Sequence, residues 1–375
     1  MRRRERIRNN FLEACKHRSV PAQLFDLISH KLRINSHWED YYRFGFFRQD
    51  LSWEQRSLYV GYNGSRYFPW EGNSLKFDRL FLLKSVQKAV LAGHGIATPA
   101  LIAKVGKQYS IDCVEKLRDV LAGIDVPVVC KFDGGGSGVG IFCLEPRNGQ
   151  LFCKEERADA DWLWNKYAPT IKRGFIIEER VANHPALQEI YPDSLNTVRM
   201  TTLKTADGKW HLLLPYIKFG HGGSQVDNLS AGGIVAGIDD TGCIGTGYAA
   251  ETGDEHQHHP DTDAPIAGVQ VPFFDAARAL ALEASNAFGF MATVAWDVGI
   301  TPAGPVIIEG NPFWDPQRAQ ERLGPFLTPE VAAGLQPRAW WTPWDRSRMY
   351  PDYMKDANGG WLQRYMARRR RRFQR

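Results

Sequence analysis

The residues of this chain most able to do chemistry are two acids and an amide near the end of a β-patterned segment, Ala295-Trp-Asp-Val-Gly-Ile-Thr-Pro-Ala-Gly-Pro-Val-Ile-Ile-Glu-Gly-Asn311. Both arms are apolar and β-branched, and Pro302-Ala303-Gly304 supplies turn residues, so the segment reads as a hairpin. Folding symmetrically about Ala303 sets Asp297 opposite Glu309. The two-residue side-chain period then puts Asn311 on the same face. Like charges directly across a strand pair repel, so the hairpin calls for a cation between its acids. Oxygen-only ligands of this kind suit magnesium, which shares its remaining positions with water and phosphate. On this reading, removing either acid relieves repulsion in the metal-free protein and raises its stability.

A second constellation lies earlier. Val126-Pro-Val-Val-Cys-Lys131 leads into Gly134-Gly135-Gly136-Ser137-Gly138-Val139-Gly140 and out through Ile141-Phe-Cys-Leu144. The loop joins two strands, so it is neither the strand-to-helix G-x-G-x-x-G of a dinucleotide site nor a P-loop. Five glycines in seven residues let backbone N–H groups approach phosphate oxygens, and Lys131 sets a point charge beside them. Phe175-Ile-Ile-Glu-Glu-Arg-Val181 is a buried strand that turns polar at its end. There Glu178 or Glu179 can accept from an adenine amino group while the Val181 backbone takes a ring nitrogen. Arg199 shares a strand face with Thr197 and Thr201, and Lys218 ends the apolar run 212–217; each is either a solvated strand residue or counter-charge for phosphate. The histidines of Asp254-Glu-His-Gln-His-His-Pro-Asp261 have no regular scaffold to aim them and read as an exposed loop.

These residues need two bodies to hold them. At 375 residues with 43% hydrophobic content the chain is long enough for about two domains. No apolar run reaches the roughly 18 residues of a membrane span. The N-terminal charges have no apolar region behind them, which excludes a secretory signal and implies a cytosolic protein. The six cysteines show no C-x-x-C spacing and read as small hydrophobes. Of the net charge of +5, residues 2–8 contribute +4 and residues 364–375 contribute +7, leaving −6 for the body. The arginine ends, Arg368 to Arg372 above all, are solvated tails or weak contacts for a polyanion such as nucleic acid or an anionic membrane.

Along the chain, residues 1–75 are mainly helical with aromatic insertions. A helix capped by Asp78 carries Leu82, Val86, Ala89 and Val90 at helical spacing, and Lys84 and Lys88 one turn apart. Further helices are expected near 112–122 and 275–288, and strands at 126–131, 141–144, 174–181, 196–204, 209–219 and 233–238. Helices mixed with mostly antiparallel strands define an α+β fold.

Lys84 ahead of Gly95-Ile-Ala-Thr-Pro99, Lys131 before a glycine hairpin, an acidic strand end and a final Asp…Glu-x-Asn together resemble the ATP-grasp superfamily. Within it the chain is most similar to the sugar-transfer-associated ATP-grasp proteins, through Ser194-Leu-Asn-Thr-Val-Arg199, Asp227-Asn228-Leu-Ser230-Ala-Gly232-Gly233, His259-Pro-Asp-Thr262 and the 296–311 hairpin. The resemblance implies two α+β lobes, 76–180 and 181–330, gripping a nucleotide between them, after a helical region 1–75 and before an extension 331–375. It implies ATP and Mg2+ as cofactors. Lys84 and Lys131 would hold the α- and β-phosphates, with Gly134, Gly135, Gly136, Ser137 and Gly138 closing over them. Glu178, Glu179 and Val181 would line the base and ribose, and Asp297, Glu309 and Asn311 would bind the metal. Asp227, Asn228, Ser230, Gly232, Gly233 and His259 would stand near the acceptor.

Ligases of the superfamily phosphorylate a carboxylate and let an amine or other nucleophile displace phosphate. Uronic acids, sugar-linked acids and amino acids are all compatible carboxylates. D-alanine:D-alanine ligases carry an arginine two residues before the first metal aspartate, where this chain has Ala295. Arg199, Lys218 or Arg318 would have to supply that charge. A kinase that stops after phosphoryl transfer, and a nucleotide-binding scaffold working through its arginine tails, are the alternatives.

Overall fold

The computed structural model describes residues 3–335 apart from 35, 62–72, 74–80, 82, 135–139, 169–173, 230–231, 250–251 and 313. They group into two compact units. One comprises the described residues within Met1–Phe77 and Ala182–Trp344, the other those within Asp78–Val181. The expected cap Asp78, the glycine-loop residues Gly135, Gly136, Ser137 and Gly138, the acceptor candidate Ser230 and the arginine run 368–372 lie outside the described residues.

The first unit begins with α1 (Arg3–His17), α2 (Val20–Ile34), α3 (Trp38–Arg43) and α4 (Trp53–Ser57). Their aromatic insertions form a small core of Tyr41, Phe44, Phe46 and Phe47 with Ala14 and Ile34. Two capping boxes set the short helices: His37 with Asp40 starts α3, and Ser52 with Gln55 starts α4. This region is built onto the later part of the same unit. The Gln320 amide bonds both backbone groups of Val60, and Arg43 pairs with Glu321.

The second unit holds α5 (Lys84–Gly93), β1 (Leu101–Val105), α6 (Val114–Ala122), β2 (Val128–Phe132), β3 (Phe142–Arg147), β4 (Gln150–Cys153), β5 (Glu156–Arg157), α7 (Ala160–Tyr167) and β6 (Phe175–Glu179). The strands form one sheet in the order β1-β6-β2-β3-β4-β5, every pair antiparallel. Leu117, Leu121, Leu163 and Tyr167 from the helices pack on Val128, Cys130, Leu144, Phe175 and Ile177 from the strands. Cys130 is part of this packing and Cys143 is buried as well, and burial pushes both thiols up from their ordinary range; Cys15, in contrast to the expectation, is exposed.

The first unit resumes with α8 (Pro185–Gln188), β7 (Thr197–Lys204), β8 (Trp210–Leu212), β9 (Tyr216–Phe219), β10 (Ile234–Ile238), β11 (Ile244–Ala249), β12 (Glu255–His256), α9 (Phe274–Ala287), β13 (Thr293–Thr301), β14 (Gly304–Asn311), α10 (Pro316–Leu323) and α11 (Pro329–Ala333). Its sheet runs β12-β11-β10-β9-β7-β13-β14, with β8 paired to β7. The single strand expected over 209–219 is two, because Pro215 cannot donate to a ladder and the chain breaks there. Trp296 on β13 is fully buried, its indole N–H donated to Ser285 of α9, which fixes the helix on this sheet. Among the described residues no helix is long and apolar enough to cross a membrane.

Candidate functional site

The hairpin β13–β14 aligns Asp297 with Glu309 and Ala295 with Asn311, though by a different route from symmetric folding. Thr301 pairs with Gly304, so the loop is only Pro302-Ala303 and the ladder as far as Val298↔Ile307 is centred half a residue earlier. The register then shifts between Asp297 and Val298, leaving Ile308 as the extra residue of a bulge. Without that bulge Asp297 would face Ile308, and Glu309 would move to the opposite face of the sheet.

The row extends across neighbouring strands. Asp297 pairs with Arg199 on β7, and Arg199 with Tyr216 on β9, so Glu309, Asp297, Arg199 and Tyr216 share one sheet face. Lys218 is two residues beyond Tyr216 and joins the same face. Arg199 donates from Nε to one Asp297 oxygen at 2.7 Å and from a terminal nitrogen to the other at 3.1 Å, and Lys218 Nζ lies 3.0 Å from the same carboxylate. Lys218 is also 3.6 Å from Asp227, which accepts from the backbone and hydroxyl of Thr197. Asp297 is therefore already paired with two cations of the protein itself, on the side away from Glu309.

Electrostatics follow from this crowding. Burial opposes the charge on Arg199 and on Lys218, but neighbouring carboxylates outweigh it, Asp297 for Arg199 and Asp227 with Asp297 for Lys218, and both are held more firmly protonated than usual. Burial pushes the Asp227 carboxyl up, against the pull of Lys218. Three carboxylates, Asp227, Asp297 and Glu309, face two cations. The Asn311 amide nitrogen is 3.4 Å from both Asp297 and Glu309; turning the amide over would present its oxygen instead. An excess of negative charge and an all-oxygen donor set fit a hard divalent cation, and magnesium in particular. Among the described residues no group of three or more His, Cys, Asp or Glu is arranged to hold a metal, so two carboxylates and one amide are the set available.

In the other unit, Lys131 and Glu178 are diagonal neighbours on β2 and β6, since Val129 pairs with Glu178 and Lys131 with Ile176. Lys131 Nζ is 2.5 Å and Lys88 Nζ 2.9 Å from the two Glu178 oxygens, and all three side chains are buried. The Glu178 carboxylate, expected to face an adenine amino group, is here engaged by these two lysines. Strand alternation puts Glu179 on the other face, that of Phe175 and Ile177, where it is exposed at the strand end, and Val181 lies just past it. Lys84 opens α5, half-buried, its amide donated to the Asp133 carbonyl.

Two residues of this cluster were missed by sequence reasoning. Lys88 is the lysine that meets Lys131 and Glu178, and its helical spacing from Lys84 was the available signal. Asp133 is fully buried and accepts from the Ser85 amide and hydroxyl at 2.7 Å each and from the Tyr109 hydroxyl, so it fixes the start of α5 and hence both helix lysines. Burial, reinforced by Asp133, pushes the Tyr109 phenol up to about 12. Gly134 bridges to Leu83, so the glycine loop departs from the same point.

The acceptor candidates divide. At Gly233 a Cβ would meet the Phe219, Asp227 and Asn228 carbonyl oxygens at 2.7, 3.0 and 3.1 Å, so the loop bearing Asp227 and Asn228 closes on a bare backbone. Gly232 adopts φ +86°. His259 is fully buried rather than exposed: Nε2 donates to the Gly220 carbonyl at 2.9 Å, Nδ1 accepts from the Asp261 amide at 3.3 Å, and the ring packs on Tyr191. Burial holds its pKa below the usual value, against the pull of the Gly220 carbonyl. Arg318 falls in α10, and its side chain is outside the described set.

A fold of two antiparallel α+β units, one with a strand lysine and a helix lysine meeting on one glutamate and the other with an Asp…Glu-x-Asn hairpin, defines the ATP-grasp class. The model of the sugar-transfer associated ATP-grasp family matches residues 66–329, and the chain belongs to that family. No curated protein matches it. Among solved structures it is similar to the D-alanine–D-alanine ligase of Bacillus anthracis (14% identity, 68% of this chain and 62% of that one, TM-score 0.37). It is also similar to the VanG D-Ala:D-Ser ligase of Enterococcus faecalis (14%, 68% and 62%, TM-score 0.43) and to the L-amino acid ligase of Bacillus licheniformis (13%, 70% and 49%, TM-score 0.41). The chain spans less than two thirds of the length of each.

Proposed function

We propose that this protein is a magnesium- and ATP-dependent ligase that joins a carboxylate to an amine or another nucleophile through an acyl-phosphate. One observation carries the reading: Lys218, buried, and Arg199, partly buried, are held by acids and lie on the same sheet face as Glu309 and Asn311. Acyl transfer through phosphate needs such fixed cations where negative charge builds up, and a scaffold has no need to bury them.

In this reading a substrate carboxylate oxygen attacks the γ-phosphorus of ATP, the bond to the bridging oxygen breaks and ADP leaves. The nucleophile then attacks the acyl carbon, phosphate departs, and the nucleophile gives up its proton. Lys131 and Lys88, with Lys84 one turn away from Lys88, offer counter-charge to the phosphates, and Glu178 offsets part of the charge of the buried pair when no nucleotide is present. Arg199 takes the place of the arginine that related ligases carry at the position of Ala295. Asp297 uses two of its five N–H donors, and the planar fork keeps its aim. Asp297, Glu309 and Asn311 would hold magnesium, which when bound neutralises charge on the transferring phosphoryl group. Lys218, steadied by Asp227, stands beside Arg199 as a second cation.

The test is ADP release from the full chain against a matrix of uronic acids, sugar-linked acids and amino acids with amines, followed by mass spectrometry. A ligase yields a product whose mass is the sum of acid and amine less water. A phosphorylated acid stable to amines would make the protein a kinase, and no ADP with any pair would leave only nucleotide binding.

A further inference from the structure

Helix α2 packs through one side and carries an apolar row on the other. Gln23, His30 and Ile34 are buried and Leu27 lies against the aromatic core, while Val20, Leu24, Phe25, Ile28 and Leu32 are 54–70% exposed. Positions 20, 24, 28 and 32 recur every four residues with 25 beside them, so they form one outward stripe. Single exposed leucines are ordinary; a contiguous row of five large side chains on one helix marks an interaction surface. Leu12 of α1, 53% exposed, adds a further apolar side chain to the outer surface of this region.

The charge of the two helices α1 and α2 is mostly of one sign. Arg3, Arg4, Arg6 and Arg8 fall in the first two turns of α1, and α2 ends with Lys31 and Arg33. Over residues 2–34 nine Lys and Arg stand against three acids. Of the acids, Asp26 is paired with Arg18 and Glu13 with Lys16. We infer that this face docks on an anionic membrane surface, with α2 lying in the plane of the interface and the basic residues on lipid headgroups. An apolar stripe and a polybasic segment are the two signals that together give stable peripheral binding, where either alone is marginal.

Other occupants fit the observations less well. A two-fold contact between copies sets the same patch against itself and would bring two arginine-rich helices together. A nucleic acid offers phosphates to the arginines but no apolar surface to five aliphatic and aromatic side chains.

The experiment is co-sedimentation of the full chain with vesicles of phosphatidylcholine alone and with about 30% phosphatidylglycerol added, at low and high salt. Binding should require the anionic lipid and weaken as salt rises. The triple variant Leu24→Gln, Phe25→Gln, Ile28→Gln should lower partition by about 100-fold or more, because the apolar contribution goes with those side chains. Its circular dichroism should match wild type, since none of the three is in the core. The inference is overturned by equal binding to neutral and anionic vesicles, or by unchanged partition of the triple variant. It is equally overturned if the wild type ignores vesicles but forms a concentration-dependent dimer, or binds RNA, in a way that the triple variant abolishes.

Discussion

Replacing Glu178 by Gln separates two accounts of the acidic strand end. If Glu178 contacts a base, Glu178→Gln leaves the nucleotide-free protein unaffected and weakens only ATP binding. The geometry requires the opposite. One carboxylate serves Lys131 at 2.5 Å and Lys88 at 2.9 Å with all three side chains buried, so a neutral amide leaves two ammonium groups without counter-charge. Removing one partner of a buried ion pair costs about 3–5 kcal/mol. At about 1.4 kcal/mol per decade, protection of the β2 and β6 amides against hydrogen exchange should fall by roughly two to three and a half orders of magnitude, up to the limit set by the unit's own unfolding. The readout is hydrogen-exchange mass spectrometry on peptides covering 128–132 and 175–179, with and without tripolyphosphate. The polyanion should restore much of the protection, because phosphate replaces the missing carboxylate beside the lysines. Protection within about threefold of wild type in the unliganded variant would refute the counter-ion role, and failure of tripolyphosphate to rescue it would refute the placing of phosphate at these lysines.

Three further outcomes are expected. The two hairpin acids should behave oppositely: Asp297→Asn leaves Arg199 and Lys218 underpaired and should cost about 3–5 kcal/mol, whereas Glu309→Gln should change stability by less than about 1 kcal/mol while abolishing magnesium-dependent ADP release, as read by urea denaturation and coupled assay. Gly233→Ala should destabilise by about 1–3 kcal/mol and slow turnover, because three carbonyl oxygens crowd the new methyl and the Asp227 loop must shift; unchanged urea midpoints would show that the loop can yield. In the N-terminal core, burial raises the Asp40 carboxyl to about 6 and lowers the His30 imidazole to about 4. The raised carboxyl makes stability fall as pH rises from about 4 to 6, and the lowered imidazole makes it rise from about 4 to 6.5, so the two slopes oppose. Asp40→Asn should thus give a region that gains stability with pH across that window, and His30→Gln one that loses it, measured as hydrogen-exchange protection of residues 20–43.

How much of this was legible in the sequence follows the range of the interactions. The Asp297–Glu309–Asn311 face could be read because strand alternation and a turn are local, and the α+β class because helical and strand periods are local too. The bulge at Ile308 could not, since any register that buries Val298 and Ile300 satisfies the pattern; the correct pairing was reached only because an assumed centre at Ala303 has the same offset as a two-residue loop followed by one extra residue. Counter-charge was invisible for the same reason. Arg199 and Asp297 are 98 residues apart, and no period within either strand says that β7 is the neighbour of β13. Neither the expectation that Asp297 repels Glu309 nor the reading of Glu178 beside a base includes these partners. In both places an acid whose sequence context suggested a ligand site is already neutralised by buried cations from a neighbouring strand or helix. That arrangement has a functional logic. Cations held by acids in a dry site are pre-aimed before substrate arrives, so an incoming phosphate or carboxylate meets oriented charge instead of having to order it.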